Sequence, residues 1–306
     1  MTSTTTRSSS SLHGATLLWL AIATTVILWA SAFVGIRIAG EHFGAGALTL
    51  GRIAIGSVAL TIVHLVLTAR RSAEERRPLP RGRLLALVVV WGVAWFGLYN
   101  LALNAAEQHV DAGTAALIVN IAPMITAVLA GLLLGEGFPR RLLGGMLVAL
   151  VGVAVIAIST STGQFDAIGV VLALAAAVLY GGAATLQKRL LGRIDAPTMT
   201  WIGCLAATVA CLPFAPELVQ SLADAPVASI LAVVYLGVFP TAIAFTTWGY
   251  VLARTSAGRT AATTYAVPAV VVLLSWLVLA ETPPLAALIG GVIALGGVAV
   301  ATLRRR

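Results

Sequence analysis

Charge is what this sequence has least of. Only 10% of its 306 residues are Asp, Glu, Lys or Arg, and each of the eleven acids falls in a predicted loop or at the end of a predicted helix. That placement weakens any proton relay through the middle of a membrane. There is no HExxH zinc pair and no GxSxG nucleophile. Nor are there clustered aspartates of the kind that hold Mg²⁺ on phosphates. The residues needed for an intramembrane enzyme are therefore missing, and neither a metal nor a cofactor is expected. Cysteine is nearly absent too. Cys204 and Cys211 are seven residues apart on one predicted helix, about 10 Å along its axis, too far for a disulfide. They read as apolar fillers.

What is present is hydrophobicity: 59% of the residues are apolar and the mean hydropathy is +1.01, beyond the range of soluble domains. Apolar runs of about 20 residues, enough to cross a ~30 Å hydrocarbon core, recur at 15–38, 45–69, 84–106, 112–135, 140–159, 167–187, 197–216, 227–252, 257–280 and 283–303. Open backbone groups cannot be satisfied in lipid, so ten such runs imply a helical bundle. The first fourteen residues, MTSTTTRSSSSLHG, are rich in Ser and Thr and are expected to be disordered.

A net charge of +8 and a pI near 10.5 would suit nucleic acid, but the positions of the charges exclude that reading. With the N-terminus inside, 17 of the 19 basic residues fall in inner segments, Arg37 and Arg52 being the others. The asymmetry is the positive-inside signal. It places both termini in the cytoplasm, makes the protein a multi-pass component of a bacterial inner membrane, and makes membrane lipids its partners.

The chain is also duplicated. Shifting it by 145 residues lays 111–156 over 256–301 without a gap, with roughly 17 identities in 46 positions. Pro123 falls on Pro268, Glu136 on Glu281, Gly145 on Gly290 and Gly152 on Gly297. LWASAFVGIRIA (28–39) lies over LYGGAATLQKRL (179–190), pairing Trp29 with Tyr180. The first span thus corresponds to the sixth, which cannot be a signal peptide, and so is retained in the mature chain. Two units follow, 15–159 and 167–303. Each holds five spans, an odd number, so the second enters the membrane inverted, as in many secondary transporters.

These residues resemble the EamA-type branch of the drug/metabolite transporter superfamily. The resemblance covers about residues 15–303. It is carried by SAGRTAATTYAVPAVVVLLSWLVLAETPPLAALIGGVIALGGVAV (256–300), its first-half counterpart, LWASAFVGIRIA, and Arg52 early in the second helix. It implies two inverted five-helix repeats around a central cavity, and export or exchange of small metabolites, often amino acids.

Within the apolar runs a few residues stand out. Pro123 and Pro268 should free a backbone carbonyl and kink their helices, shaping a cavity and a place to bend, or serving packing curvature alone. Glu136 and Glu281 close the same helices, ahead of Pro139 and Pro283. Each could cap the next helix or couple transport to protons. Arg52, about one turn inside its helix, is expected either to serve a structural hydrogen-bonding role or, where the substrate carries a carboxylate, to contact that anionic group. WGVAWFGLYNLALN places Tyr99 on an aromatic stripe and Asn100 and Asn104 on a polar one. Asn120, Tyr265, Thr246, Trp248, Trp29 and Tyr180 complete a candidate cavity set, with hydrogen bonds between helices as the alternative use of the polar members. Gly145, Gly152, Gly290 and Gly297 permit close helix approach, internal or in a dimer, so a homo-oligomer is allowed and not required.

The expectation is a secondary transporter that exports or exchanges amino acids or related small molecules by alternating access. A multidrug or lipophilic-cation exporter and a non-transport scaffold or sensor are the alternatives. The former would favour a buried acid in mid-membrane, which the sequence does not offer.

Overall fold

The computed structural model describes residues 6–70, 78–110, 112–161, 166–279 and 282–303, and every regular element among them is helical. Helices α1 (Thr6–Gly40) and α2 (Ala45–Arg70) are continuous. α3 (Gly82–Ala106) contains a π-helical turn at Val93–Leu98. α4 comes in two pieces, Ala112–Val119 and Ala122–Leu133. After α5 (Arg140–Thr160) and α6 (Ala167–Leu190), α7 (Ala196–Ala210) bends by 52° into a second arm ending at Asp224. α8 (Val227–Arg254) carries its own π-helical turn at Gly237–Ile243. α9 is again in two pieces, Ala257–Thr263 and Ala266–Leu279, and α10 is Leu285–Thr302.

Eight of these helices are long and apolar enough to span a membrane, or nine if the arms of α7 make one span. Among the described residues α4 offers the apolar stretch Leu117–Leu133, shorter than the other spans, so the count of ten is not reached. Large apolar side chains such as Val58, Leu132, Ile158, Leu277 and Val292 stay exposed on the outer faces, as a lipid-facing surface requires. The chain is a multi-pass membrane protein. α1 starts at Thr6, inside the stretch expected to be disordered; extending a helix already nucleated by an apolar span needs little from each added residue.

Helix contacts obey the repeat. α1 packs on α8 and on the second piece of α9, while its counterpart α6 packs on α3 and on the second piece of α4. α5 and α10, also counterparts, pack tightly against each other. The prolines differ from expectation in a telling way. Instead of bending a continuous helix, Pro123 and Pro268 lie in the first turn of a new piece, after breaks at Asn120–Ile121 and Thr264–Tyr265. A proline costs nothing there, since its missing N–H would have had no partner.

Glu136 caps a helix, but not the following one. Gly135 and Gly137 flank it with φ of +68° and +70°, the left-handed region that glycine tolerates, and the turn they make aims the side chain at the other repeat. Its Oε1 accepts from the Ala257 N–H at 2.7 Å and its Oε2 from the Gly258 N–H at 3.2 Å, at the start of α9. From the other side of the same turn, the Lys188 ammonium donates to Leu252 O (2.8 Å) and Thr255 O (2.6 Å) at the end of α8. An acid thus meets a helix N-terminus and a base a C-terminus, the arrangement both dipoles favour. Its repeat counterpart Glu281 lies outside the described residues. Glu136→Ala is expected to cost about 1–2 kcal/mol, read as a lowered melting temperature in detergent; an unchanged melting temperature would show that the cap adds no stability.

Candidate functional site

Where the two repeats meet, aromatic rings converge. Trp29 from α1, Trp95 and Tyr99 from α3, Tyr180 from α6, and Phe245 and Trp248 from α8 lie with centroids 5.1–6.5 Å apart, mostly edge to face. That spacing is the favourable one for aromatic pairs. Trp95 is 0% and Trp248 1% exposed. Trp248 is fixed by its indole N–H, which donates to Gln187 Oε1 at 2.9 Å. Tyr180 donates its hydroxyl to Thr264 Oγ1 at 3.4 Å, in the break of α9. Four of the cavity candidates from the sequence, Trp29, Tyr99, Tyr180 and Trp248, are therefore brought together.

The π-helical turns frame this cluster at matching positions of the two repeats. Each widened turn frees carbonyls, and a side chain fills each gap. Asn100 donates its amide to Phe96 O (2.9 Å) and Trp95 O (3.3 Å), and Thr241 donates to Leu236 O (2.8 Å). Asn100 is thereby turned to its own backbone and away from a ligand. Thr246 does likewise, donating to Ala242 O at 2.7 Å. Its neighbour Thr247 meets Thr25 of α1 at 2.8 Å.

Toward the end marked by His109, the site becomes polar. Arg52 is 5% exposed. Its Nε and a terminal nitrogen donate to Thr241 Oγ1, both at 3.3 Å, its hydrogen-bond acceptor among the described residues. A buried guanidinium facing one hydroxyl is weakly compensated. It is close enough to act electrostatically on Tyr99. One turn along α2, Thr49 accepts from the Asn104 amide at 2.9 Å. At this end His109 Nδ1 also meets Asp166 at 2.8 Å. The Ile168 N–H and then His109 hold the Asp166 carboxyl below its ordinary range, as expected for a helix cap.

Toward the other end a cavity of ≈ 940 Å³ opens, lined by Trp19, Ile22, Glu136, Lys188, Arg259 and Thr263 among others. Ile22 lies two turns from Trp29, and Val251, also in the lining, one turn from Trp248, so this vestibule lies on the Glu136 side of the aromatic cluster. Asn120 and Tyr265 occupy the breaks of α4 and α9. Asn120 is half-buried and hydrogen-bonding or otherwise engaged. Tyr265 is 0% exposed, and its hydroxyl has no partner among the described residues. Gln187, Thr49 and Thr241 were not singled out from the sequence. A lone amide in an apolar helix would have flagged Gln187; the threonines gave no signal.

The two repeats that meet at the aromatic cluster each match one known family. The description of the EamA-like transporter family fits residues 16–158 and again 167–303. The chain belongs to the EamA-like transporter family. It is 38% identical, over 91% of each chain, to a protein of Streptantibioticus cattleyicolor named "Probable terminal-alkyne amino-acid exporter". It is 32% identical to an uncharacterized Bacillus subtilis transporter, YdfC, over 90% of this chain and 88% of that one. A Salmonella typhimurium protein named "Probable amino-acid metabolite efflux pump" is 26% identical over 89% and 90%. A solved crystal structure, 24% identical, shares the fold, with a TM-score of 0.74 over 92% of this chain and 95% of that one.

Proposed function

We propose that this family member is a secondary transporter that exports or exchanges small amino acids and related metabolites across the bacterial inner membrane by alternating access. The observation that carries the substrate class is Arg52: a buried guanidinium beside an aromatic cluster, with a single hydroxyl for company, is built to receive a carboxylate. The names of the relatives support the same class. In this reading the Glu136 end faces the cytoplasm, where the basic residues gather, and the vestibule admits substrate from that side. The two helix breaks supply backbone groups and room to move at the repeat interface. Glu136 serves as a cap; Arg52 would repel a lipophilic cation, which disfavours the multidrug alternative.

The test is counterflow in proteoliposomes with a panel of amino acids and other small metabolites, with and without a pH gradient. Uptake of amino acids is expected, and Asn120→Ala and Tyr265→Ala should each lower it by about tenfold, one lost hydrogen bond to a charged group. Uptake of lipophilic cations in place of amino acids would overturn the proposal.

A further inference from the structure

The polar border beyond Arg52 leaves two acceptors without a donor. Asn104 gives its amide to Thr49, but its Oδ1 is buried with no hydrogen-bond partner among the described residues. Three residues on, Glu107 ends α3. The residue is half-buried, yet its Oε1 is enclosed and also has no partner. Residues three apart share a helix face. Buried acceptors in native proteins are almost always satisfied, so two in one turn mark a place where a donor belongs.

Building on the amino-acid reading above, we infer that Asn104 and Glu107 form an exit site for the substrate's ammonium group, and that protons from the external side compete for it there. An ammonium carries three N–H donors and a positive charge, which suits one neutral and one charged acceptor. The Thr49–Asn104 hydrogen bond sets these residues at one level. Arg52 then lies about one turn, 4.5 Å, toward the centre along α2, close enough for one amino acid to bridge carboxylate to Arg52 and ammonium to Asn104. A further turn outward, Glu107 receives the ammonium as the molecule leaves.

The proton balance is simple. An ionised Glu107 holds the ammonium; a proton arriving from outside neutralises the carboxylate and the intact amino acid departs with its charge. Burial pushes the Glu107 carboxyl up to about 7, with the Arg37 guanidinium pulling it back. Above that value the site is ionised and binds, and below it the site is protonated and releases. The other titratable groups described at this end include Glu41 and His42 beyond α1, the latter bonded to Ser229, Arg52 on α2, Glu217 of the second arm of α7 packed against Gly44, and Asp166 paired with His109 at the start of α6. Of the described groups, the Arg37 guanidinium acts on Glu107, and the Tyr99 hydroxyl, about two turns inward along α3, is also within its electrostatic reach. Asp111 lies outside the described residues.

The experiment is counterflow at pH 6, 7 and 8 with neutral L-amino acids from alanine to norleucine, each paired with the carboxylic acid that lacks the amine. Wild type, Glu107→Gln and Glu107→Asp are compared, all checked for monodispersity. The wild-type external KM should rise about tenfold from pH 8 to pH 6. In Glu107→Gln it should be about tenfold higher at pH 8 and flat with pH, while Glu107→Asp restores a displaced pH profile. The des-amino acids should be indifferent to either substitution. If Glu107→Gln keeps the wild-type KM, pH profile and preference for the amine, the exit site is refuted while the substrate reading stands. If the wild type exchanges none of the amino acids, the substrate reading itself fails. Should Glu107→Gln not fold, an unaltered pH profile in Glu107→Asp refutes the exit site equally.

Discussion

Gly297→Ala should leave almost no folded protein, and Gly152→Ala should do nearly the same. Along the α5–α10 contact a Cβ on Gly297 would lie 2.3 Å from the Ala149 nitrogen and 2.6 Å from Gly145 O. One on Gly152 would lie 2.4 Å from the Ala294 nitrogen and 2.6 Å from Gly290 O. These are backbone atoms, so no side chain can rotate aside, and the helices must separate along their whole contact. Alanine's better helix propensity returns about 1 kcal/mol, whereas overpacking of this kind costs about 3 kcal/mol or more. Gly144 and Gly296 are the controls, because each has open space where the methyl would go; alanine there should be neutral or stabilising. Yield of monodisperse protein and melting temperature in detergent decide the matter. Equal behaviour of all four variants would refute the close approach. Because Gly145, Gly152, Gly290 and Gly297 are consumed by this internal contact, they are not available to a dimer.

Much of this architecture could be read from the sequence because membrane crossing and duplication both leave long, strong patterns. The apolar runs gave nearly every helix within a few residues, and the 145-residue shift identified which helices correspond. Contacts that depend on how the two repeats face one another could not be read. Glu136 looked like a cap for its following helix, since sequence adjacency was the only guide; the inverted packing instead delivers it to Ala257 and Gly258. The π-helical turns in α3 and α8 were equally hidden. One extra residue in a turn leaves no periodicity signal in a segment that is apolar all round. Asn100 therefore looked like a cavity residue when its amide in fact closes the widened turn. Glu107 was passed over as one more helix-end acid, and only its enclosed oxygen sets it apart.

Arg52→Met should make the protein more stable and nearly inactive. Taking a guanidinium into the membrane interior costs about 2.5–3.5 kcal/mol on insertion scales, and its two 3.3 Å contacts to one hydroxyl return little of that. Methionine is of similar length and fills irregular space well. Thr241 keeps its bond to Leu236 O, so no buried group is orphaned by the change. A gain of about 1–3 kcal/mol is expected, seen as a higher melting temperature. Transport should fall in parallel, by about 10- to 150-fold, the value of one charge-assisted pair of about 1.5–3 kcal/mol to a substrate carboxylate. Arg52→Lys keeps the charge but loses the planar fork, so it should transport at an intermediate rate. Opposite movement of stability and activity is the signature of a residue held for its ligand. If Arg52→Met lowered the melting temperature along with transport, Arg52 would instead be a structural hydrogen-bonding residue joining α2 to the widened turn of α8, and the carboxylate would have to be received elsewhere.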